Sequence, residues 1–517
     1  MTLQAIHDFE LALLEPCLSM TRRGVLIDEP LRQDRIAALK ATITPLELAV
    51  KEAVIPLLYA GMPRESLFRD KWTCPCCRNG KDKRDHCWAC AGFDKKPSKK
   101  ALNTYYEKVA AALDKTGMLW ELYPDGVPPE LPPCGVCGGE GQRTAWVFNL
   151  ASNEQKAVVL FHLLKLPKRI QVDENALKSL LPLDKSGVIK RMLEVTKAET
   201  MIKIYERLAP AEDGRIHTFY NPAGTETARF SSSGGEPLPK PNKPFALIKS
   251  TNLSNMPKRE VKGNDLYNVR ECLVASPGHQ LVEGDLSGAE AWITAALRKD
   301  FKALDRLQDP TFDVHKWTGS SIFRKPADEI TKAERMTAKT CRHAFERGVQ
   351  WKTLMADINS DALVTGITID AQEAKRIITV LHKLEPKIEE WWRELQNVKQ
   401  LKTFVLGRVR TFFGRRQGDG WLDHVHKQLM SFQPQADVAD TLNMGLLSWW
   451  NNYEGKFGWL LMQVYDSIIL ESLNKQVKVA AAMVAKCLEI PITVNGITLT
   501  IPADVSVGRD WANMELL

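Results

Sequence analysis

Two aspartates stand where apolar strands should leave little room for charge. Asp466 interrupts LLMQVYDSIILES (460–472), between runs of Leu, Val and Ile suited to a buried sheet. Asp285 follows LVEG at the carboxyl end of a predicted strand in HQLVEGDLSGAEAWITAALRKD. An isolated buried carboxylate is costly unless something neutralises it. If the two strands neighbour one another in one sheet, the carboxylates converge, and both stay ionised only where cations bridge them. Mg2+ prefers hard oxygens and is held by one or two carboxylates plus substrate phosphates. Two such ions would activate a hydroxyl and stabilise the leaving oxygen of an in-line phosphoryl displacement. The plainer alternative puts Asp466 in a hairpin turn, where Asp is common.

Between these segments, ERMTAKTCRHAFERGVQ carries Arg335, Lys339, His343 and Arg347 at four-residue intervals. On a helix that spacing makes one broad stripe. No acid falls within the row, although Glu334 and Glu346 flank it. Guanidinium forks and an ammonium point charge in a row suit a triphosphate. A solvated basic face is the bland alternative. Upstream, His315 in FDVHKWTG is a third kind of donor for the same anion.

These segments carry a resemblance. DLSGAE resembles motif A (D-x-S-x-x-E) of the family A, polymerase I-like DNA polymerases, and RMTAKTCRHAFERG resembles their motif B on the fingers helix. QVYDSIILE resembles motif C, usually Q-V-H-D before an apolar strand. Supporting segments fall in family order: TARFSS, NLSNMP and FQPQADVAD, with ELALLEPCLSMTRRGVLID and FNLASNEQKAVVLFHLLKLP nearer the N-terminus. The likeness covers nearly the whole chain except about 66–142. It implies an α+β, mostly helical, right-hand polymerase with thumb, antiparallel-sheet palm and fingers, plus a small zinc-binding insert.

Residue by residue, the resemblance implies that Asp285 and Asp466 are the catalytic palm carboxylates for two Mg2+ ions. It gives the incoming nucleotide's phosphates to Arg335, Lys339 and His315, with His343 and Arg347 also lining the nucleotide site. Glu290 would sit against the sugar and exclude a 2′-hydroxyl, which argues for deoxynucleotides. Arg229 would contact the primer end, and Gln435 the template side of the nascent pair. The chain also departs from the family pattern. His343 and Arg347 stand where motif B usually has aromatic residues, from which a Glu290–Arg347 ion pair is expected. Tyr465 and Ser467 flank Asp466 where motif C usually has His and Glu. These departures have a phage-like look.

The elements that position these groups follow from local pattern. Residues 1 to about 65 have helical spacing with GVLID as an extended interruption, and helical patterns resume from about Asn153 to Leu208. Residues 221–262, rich in Pro, Gly, Ser and Asn, form a long irregular connection. A strand then runs into a helix at motif A, 300–400 is mainly helical, and a long helix near 425–453 precedes the strands around Asp466. The expected organisation is a thumb region at 1–220 interrupted by the insert at 66–142, palm at 221–300, fingers at 301–400 and palm again at 401–517.

The insert is set apart by composition. Of eleven cysteines, seven lie between Cys74 and Cys137. Cys74-x2-Cys77 and Cys87-x2-Cys90 supply four thiolates for tetrahedral Zn2+, and Cys134-x2-Cys137 is a third knuckle that could replace either. Cys76 and His86 are alternates, so one zinc or two both stay open. Between Arg78 and Lys100 there are eight Lys/Arg against three Asp, with Trp88 and Phe93 interleaved, which suits phosphate contacts or stacking. A clamp extension that raises processivity and a structural or docking module are the two readings of it.

The chain has 517 residues, 26% of them charged and 44% hydrophobic, as in ordinary globular proteins, and its net charge of +7 permits a polyanionic partner. The N-terminal residues do not form a signal peptide, and no apolar run reaches membrane-spanning length. The expected setting is therefore cytoplasmic (the host cytoplasm, if phage-encoded), as a monomer with no membrane partner. The resemblance implies primer-template DNA and dNTP as partners, with a processivity factor or a separate exonuclease as further candidates, because no exonuclease region is expected ahead of the polymerase region. The reading is a template-directed DNA polymerase in phage DNA replication. The alternatives are a polymerase preferring ribonucleotides or an RNA template, and a zinc-dependent nucleic-acid-binding protein with an inactive palm.

Overall fold

The computed structural model describes residues 2–60, 69–73, 142–146, 148–233, 251–254, 256–257, 265–414, 416–417, 420–421 and 423–517. Contacts divide the chain into two compact units. The first comprises Met1–Leu46, Leu177–Pro182 and Leu193–Leu517, and the second Glu47–Ala176 and Leu183–Met192.

The first unit is built on an antiparallel five-stranded sheet. Its strands are β1 (His279–Leu286), β2 (Trp459–Val464), β3 (Ser467–Leu473), β4 (Ala503–Gly508) and β5 (Met514–Leu516), in the order β2-β3-β1-β4-β5. Side chains alternate across β1, as the period of two requires. Val282 and Leu286 enter one apolar cluster, and Leu281 enters another that includes Met462, Val464 and Ile469. Gly284 is required by packing: a Cβ there would lie 2.3 Å from Val484 and 2.7 Å from Leu488 of the helix Val477–Leu488. That helix therefore covers the Gly284 face, and Glu283 and Asp285 belong to the other.

Five helices of this unit bear on the site: α1 (Ala289–Leu297), α2 (Val314–Phe323), α3 (Lys332–Glu346), α4 (Ala371–Leu384) and α5 (Asp423–Asn452). α3 opens on a capping box, in which the Thr331 hydroxyl accepts from Glu334 N–H and the Glu334 carboxylate accepts from Thr331 N–H. The N-terminal helices Leu3–Ala12 and Leu14–Arg23 lead into a three-stranded sheet formed by Val25–Ile27, Arg215–Ile216 and Leu273–Val274.

In the second unit, strands Arg69–Thr73 and Gln142–Trp146 pair antiparallel, Arg69 opposite Trp146 and Thr73 opposite Gln142. The cysteine-rich stretch thus leaves and returns at one ladder, close to the composition boundaries at about 66 and 142. The expected zinc ligands Cys74, Cys77, Cys87, Cys90, Cys134 and Cys137, with the alternates Cys76 and His86, lie outside the described residues. Four described cysteines, Cys17, Cys272, Cys341 and Cys487, are buried free thiols. No helix among the described residues is long and apolar enough to cross a membrane.

Candidate functional site

Asp285 and Asp466 meet through strand pairing. β3 lies against β1 with Ser467 opposite Asp285, and the Leu286 N–H donates to the Asp466 carbonyl at 3.1 Å. Asp466 is not inside a strand: it occupies the two-residue turn joining β2 and β3, beside Tyr465 at φ +55°. The two sequence readings of Asp466 are therefore compatible, since the turn itself delivers the carboxylate to the end of β1. Both aspartates are half-buried. Asp504 of β4, which the sequence did not single out, stands directly opposite Asp285 on its other side. Like charges as cross-strand neighbours repel, so this end of the sheet favours a cation.

Among the described residues, no group of three or more His, Cys, Asp and Glu forms a closed metal cage. The donor set at the turn is a pair of hard carboxylates, which fits Mg2+ completed by substrate oxygens. Lys339, His343 and Arg347 line a cleft of about 540 Å³ with Met336, Thr340 and Ala344. The basic row departs from expectation at both ends. α3 stops at Glu346, so Arg347 is its C-cap residue rather than a helical one.

The row also has acidic partners, supplied from elsewhere in the chain. Arg335 Nε donates to Asp313 Oδ2 at 2.6 Å, while Asp313 Oδ1 caps α2 by accepting from the His315 and Lys316 N–H groups. Burial raises the Asp313 carboxyl, but Arg335 and these N–H donors outweigh it and hold the group low. The His315 and His343 rings lie 5.7 Å apart, and the Nδ1 atom of each is buried without a hydrogen bond. Burial, reinforced by Lys339, His343 and Arg335, pushes His315 down to about 3. Burial also lowers His343, against the pull of Glu346 and Glu290. Neutral rings beside cations, with buried nitrogens that make no hydrogen bond, suit an incoming anion.

Glu290 on α1 is held by two arginines. Arg229 donates at 2.7 Å and Arg347 at 3.5 Å. The expected Glu290–Arg347 contact is present, but Arg229, expected only at a primer end, is the nearer partner. Burial raises the Glu290 carboxyl, and the two guanidiniums overcome that and keep it below its usual range. Ala228, at φ +59°, sets the local turn, and its carbonyl accepts from Asn443 of α5. The TARFSS and NLSNMP segments meet where Ser232 Oγ donates to Asn252 Oδ1 at 2.7 Å and lies 2.6 Å from Ser254 Oγ. Gln435, on α5 after Pro434, is half-buried and makes no side-chain hydrogen bond to a described residue.

The site residues missed in the sequence are Asp313, Glu283 and Asp504. Asp313 had a local signal, a helix-capping acid just ahead of VHKW. Glu283 had one too, standing two positions before Asp285 on the same predicted strand and so on its face, whereas Asp504 had none, because only strand register brings it beside Asp285.

The model of DNA polymerase family A matches residues 140–513. The thermostable DNA polymerase I of Thermus aquaticus is 25% identical over 382 residues, covering 70% of this chain and 42% of that protein. The DNA polymerase I of Pseudomonas aeruginosa is 24% identical over 390 residues, covering 70% and 38%. The chain thus spans less than half the length of these relatives. Among solved structures, the POL domain of Pol1 from M. smegmatis, in complex with DNA primer-template and dNTP, is similar with a TM-score of 0.66 and 18% identity. That match covers 97% of this chain and 70% of the other, and it shows a shared fold.

Proposed function

The chain belongs to DNA polymerase family A, and on that premise we propose that it adds deoxynucleotides to a primer 3′-hydroxyl under template direction. The observation that carries this reading is the meeting of Asp285 and Asp466 at the end of one sheet. Asp285 and Asp466 would hold two Mg2+ ions, which supply charge neutralisation and an activated hydroxyl when bound. Arg335, Lys339, His315 and His343 receive the triphosphate, for which Arg335 gives up Asp313, while Arg347 lines the nucleotide site from its contact with Glu290. Glu290, fixed by Arg229 and Arg347, stands against the sugar and selects against a 2′-hydroxyl. On arrival of the primer end, Arg229 exchanges Glu290 for the nucleic acid, and Gln435 contacts the template side of the pair.

The same reading divides the chain into a thumb region (1–220), palm (221–300 and 401–517) and fingers (301–400). The cysteine-rich insert is a Zn2+-binding part of the thumb, and the setting is phage DNA replication, a reading motivated by His343, Arg347, Tyr465 and Ser467.

Primer extension with each nucleotide class tests the proposal. Wild type extends with dNTP and Mg2+, and Asp466→Ala loses activity by roughly a thousand-fold, the equivalent of about 4 kcal/mol of transition-state stabilisation. Equal extension by both proteins rejects catalysis at this site, and absence of extension by either leaves the nucleic-acid-binding alternative. Preference for ribonucleotides or an RNA template selects the other alternative.

A further inference from the structure

We propose that Glu283 is a positioning residue that holds the Asp466 turn in register with Asp285, through Ser467. This inference rests on the two-aspartate metal reading above.

Asp466 is placed by a two-residue turn that is bonded to β1 where Leu286 N–H donates to the Asp466 carbonyl. Two buried polar side chains, Gln463 and Ser467, flank the turn. Gln463 Nε2 donates to the Tyr465 carbonyl at 2.8 Å. Ser467 Oγ lies 3.1 Å from both Glu283 Oε1 and the Val464 carbonyl. A hydroxyl has one proton to donate, and a carboxylate is the stronger acceptor. The Ser467–Glu283 bond therefore ties the start of β3, one residue after Asp466, to the strand that carries Asp285.

Glu283 is itself held. Trp511 Nε1 donates to the same oxygen, Oε1, at 3.3 Å. The Arg270 guanidinium stacks on the Trp511 ring at 3.7 Å, donates to the Met256 carbonyl, and leaves its buried Nε without a hydrogen bond. Burial lowers the Arg270 pKa, while Glu283 and Asp285 act to raise it, so one buried guanidinium balances charge for both acids. Because Glu283 and Asp285 are two positions apart on one strand, they share a face. The acid expected at position 467 by resemblance is thus found across the ladder, at 283.

Loss of a group that orients a metal ligand weakens metal affinity without removing a ligand. The test is Mn2+ binding to the full chain with a primer-template, followed by electron paramagnetic resonance and needing no turnover, with thermal unfolding alongside. Glu283→Ala and Ser467→Ala are each expected to weaken Mn2+ binding on the order of 10-fold, while Glu283→Gln, which keeps the acceptor, stays within about twofold of wild type. The double substitution should be no worse than either single one, because both remove the same link. Wild-type Mn2+ binding in Glu283→Ala, or independent additive losses, overturns the assignment. Asp466→Ala separates the two levels. If it loses Mn2+ while Glu283→Ala does not, only the Glu283 role fails. If Asp466→Ala binds Mn2+ normally, the two-aspartate reading and this inference fail together.

Discussion

His315 makes the nucleotide site sensitive to pH in two opposed ways. Its ring is held neutral, with a folded pKa of about 3 against 6.5 for the unreacted side chain. On unfolding, the ring takes up a proton at any pH below its unfolded pKa. Its contribution to stability is therefore complete above about pH 6.5 and lost as pH falls toward 3. Replacing it with Gln removes that dependence, so urea midpoints measured from about pH 7 down to about pH 4.5 should fall less steeply in His315→Gln than in wild type. A bound triphosphate acts the other way, because an adjacent anion favours the charged ring. Nucleotide binding should take up protons at about pH 5 and tighten as pH falls, which calorimetry at that pH in buffers of different ionisation enthalpy would register. A flat proton balance would remove His315 and His343 from the phosphate site.

Helices α1 and α3 are joined by a chain of buried charges. Arg298, at the end of α1, and Arg342, on α3, both pair with Glu385, which follows α4, at 3.0 and 2.9 Å. Arg342 also pairs with Glu346 at 3.0 Å. Several of these atoms are close without being aligned for hydrogen bonds, so attraction between charges, rather than directional bonding, carries the network. Glu385→Ala leaves two guanidiniums buried against one carboxylate and should cost about 3–5 kcal/mol in denaturant unfolding. Replacing Arg298, Arg342 and Glu385 together with apolar residues should recover most of that loss. If Glu385→Ala has no measurable cost, the charges are hydrated and the link is not structural. Since α1 carries Glu290 and α3 carries His343, the same network sets the spacing of the nucleotide site.

For the molecule as a whole, charge and the insert are the two quantities open to test. A net charge of +7 is modest, so grip on DNA depends on where cations cluster rather than on their excess. The antiparallel ladder 69–73 with 142–146 gives the insert a natural point of excision. Elemental analysis of the full chain should find one or two zinc ions. Removing 74–141, which leaves both strands of the ladder in place, should release them, shorten the product made per binding event and flatten the salt dependence of DNA affinity. Unchanged product length would leave the insert a structural or docking role. The folded unit that carries the two aspartates contains none of this segment, so its unfolding transition should survive the deletion.

Periodicity and motif order were sufficient to read the strand-to-helix step at Asp285, the helix that carries Arg335 and Lys339, and the long helix ending near Asn452. Each of these is a local property, fixed by residues a few positions apart. The pairing of Asp285 with Ser467 and Asp504, the competition of Arg229 and Arg347 for Glu290, the capture of Arg335 by Asp313 and the support of Ser467 by Glu283 were decided only in three dimensions. Cross-strand register and helix packing choose such partners from segments far apart in the chain, and a charge in a sequence carries no label for the opposite charge it will meet. Hence the aspartates were legible as chemistry, while what aims them was not.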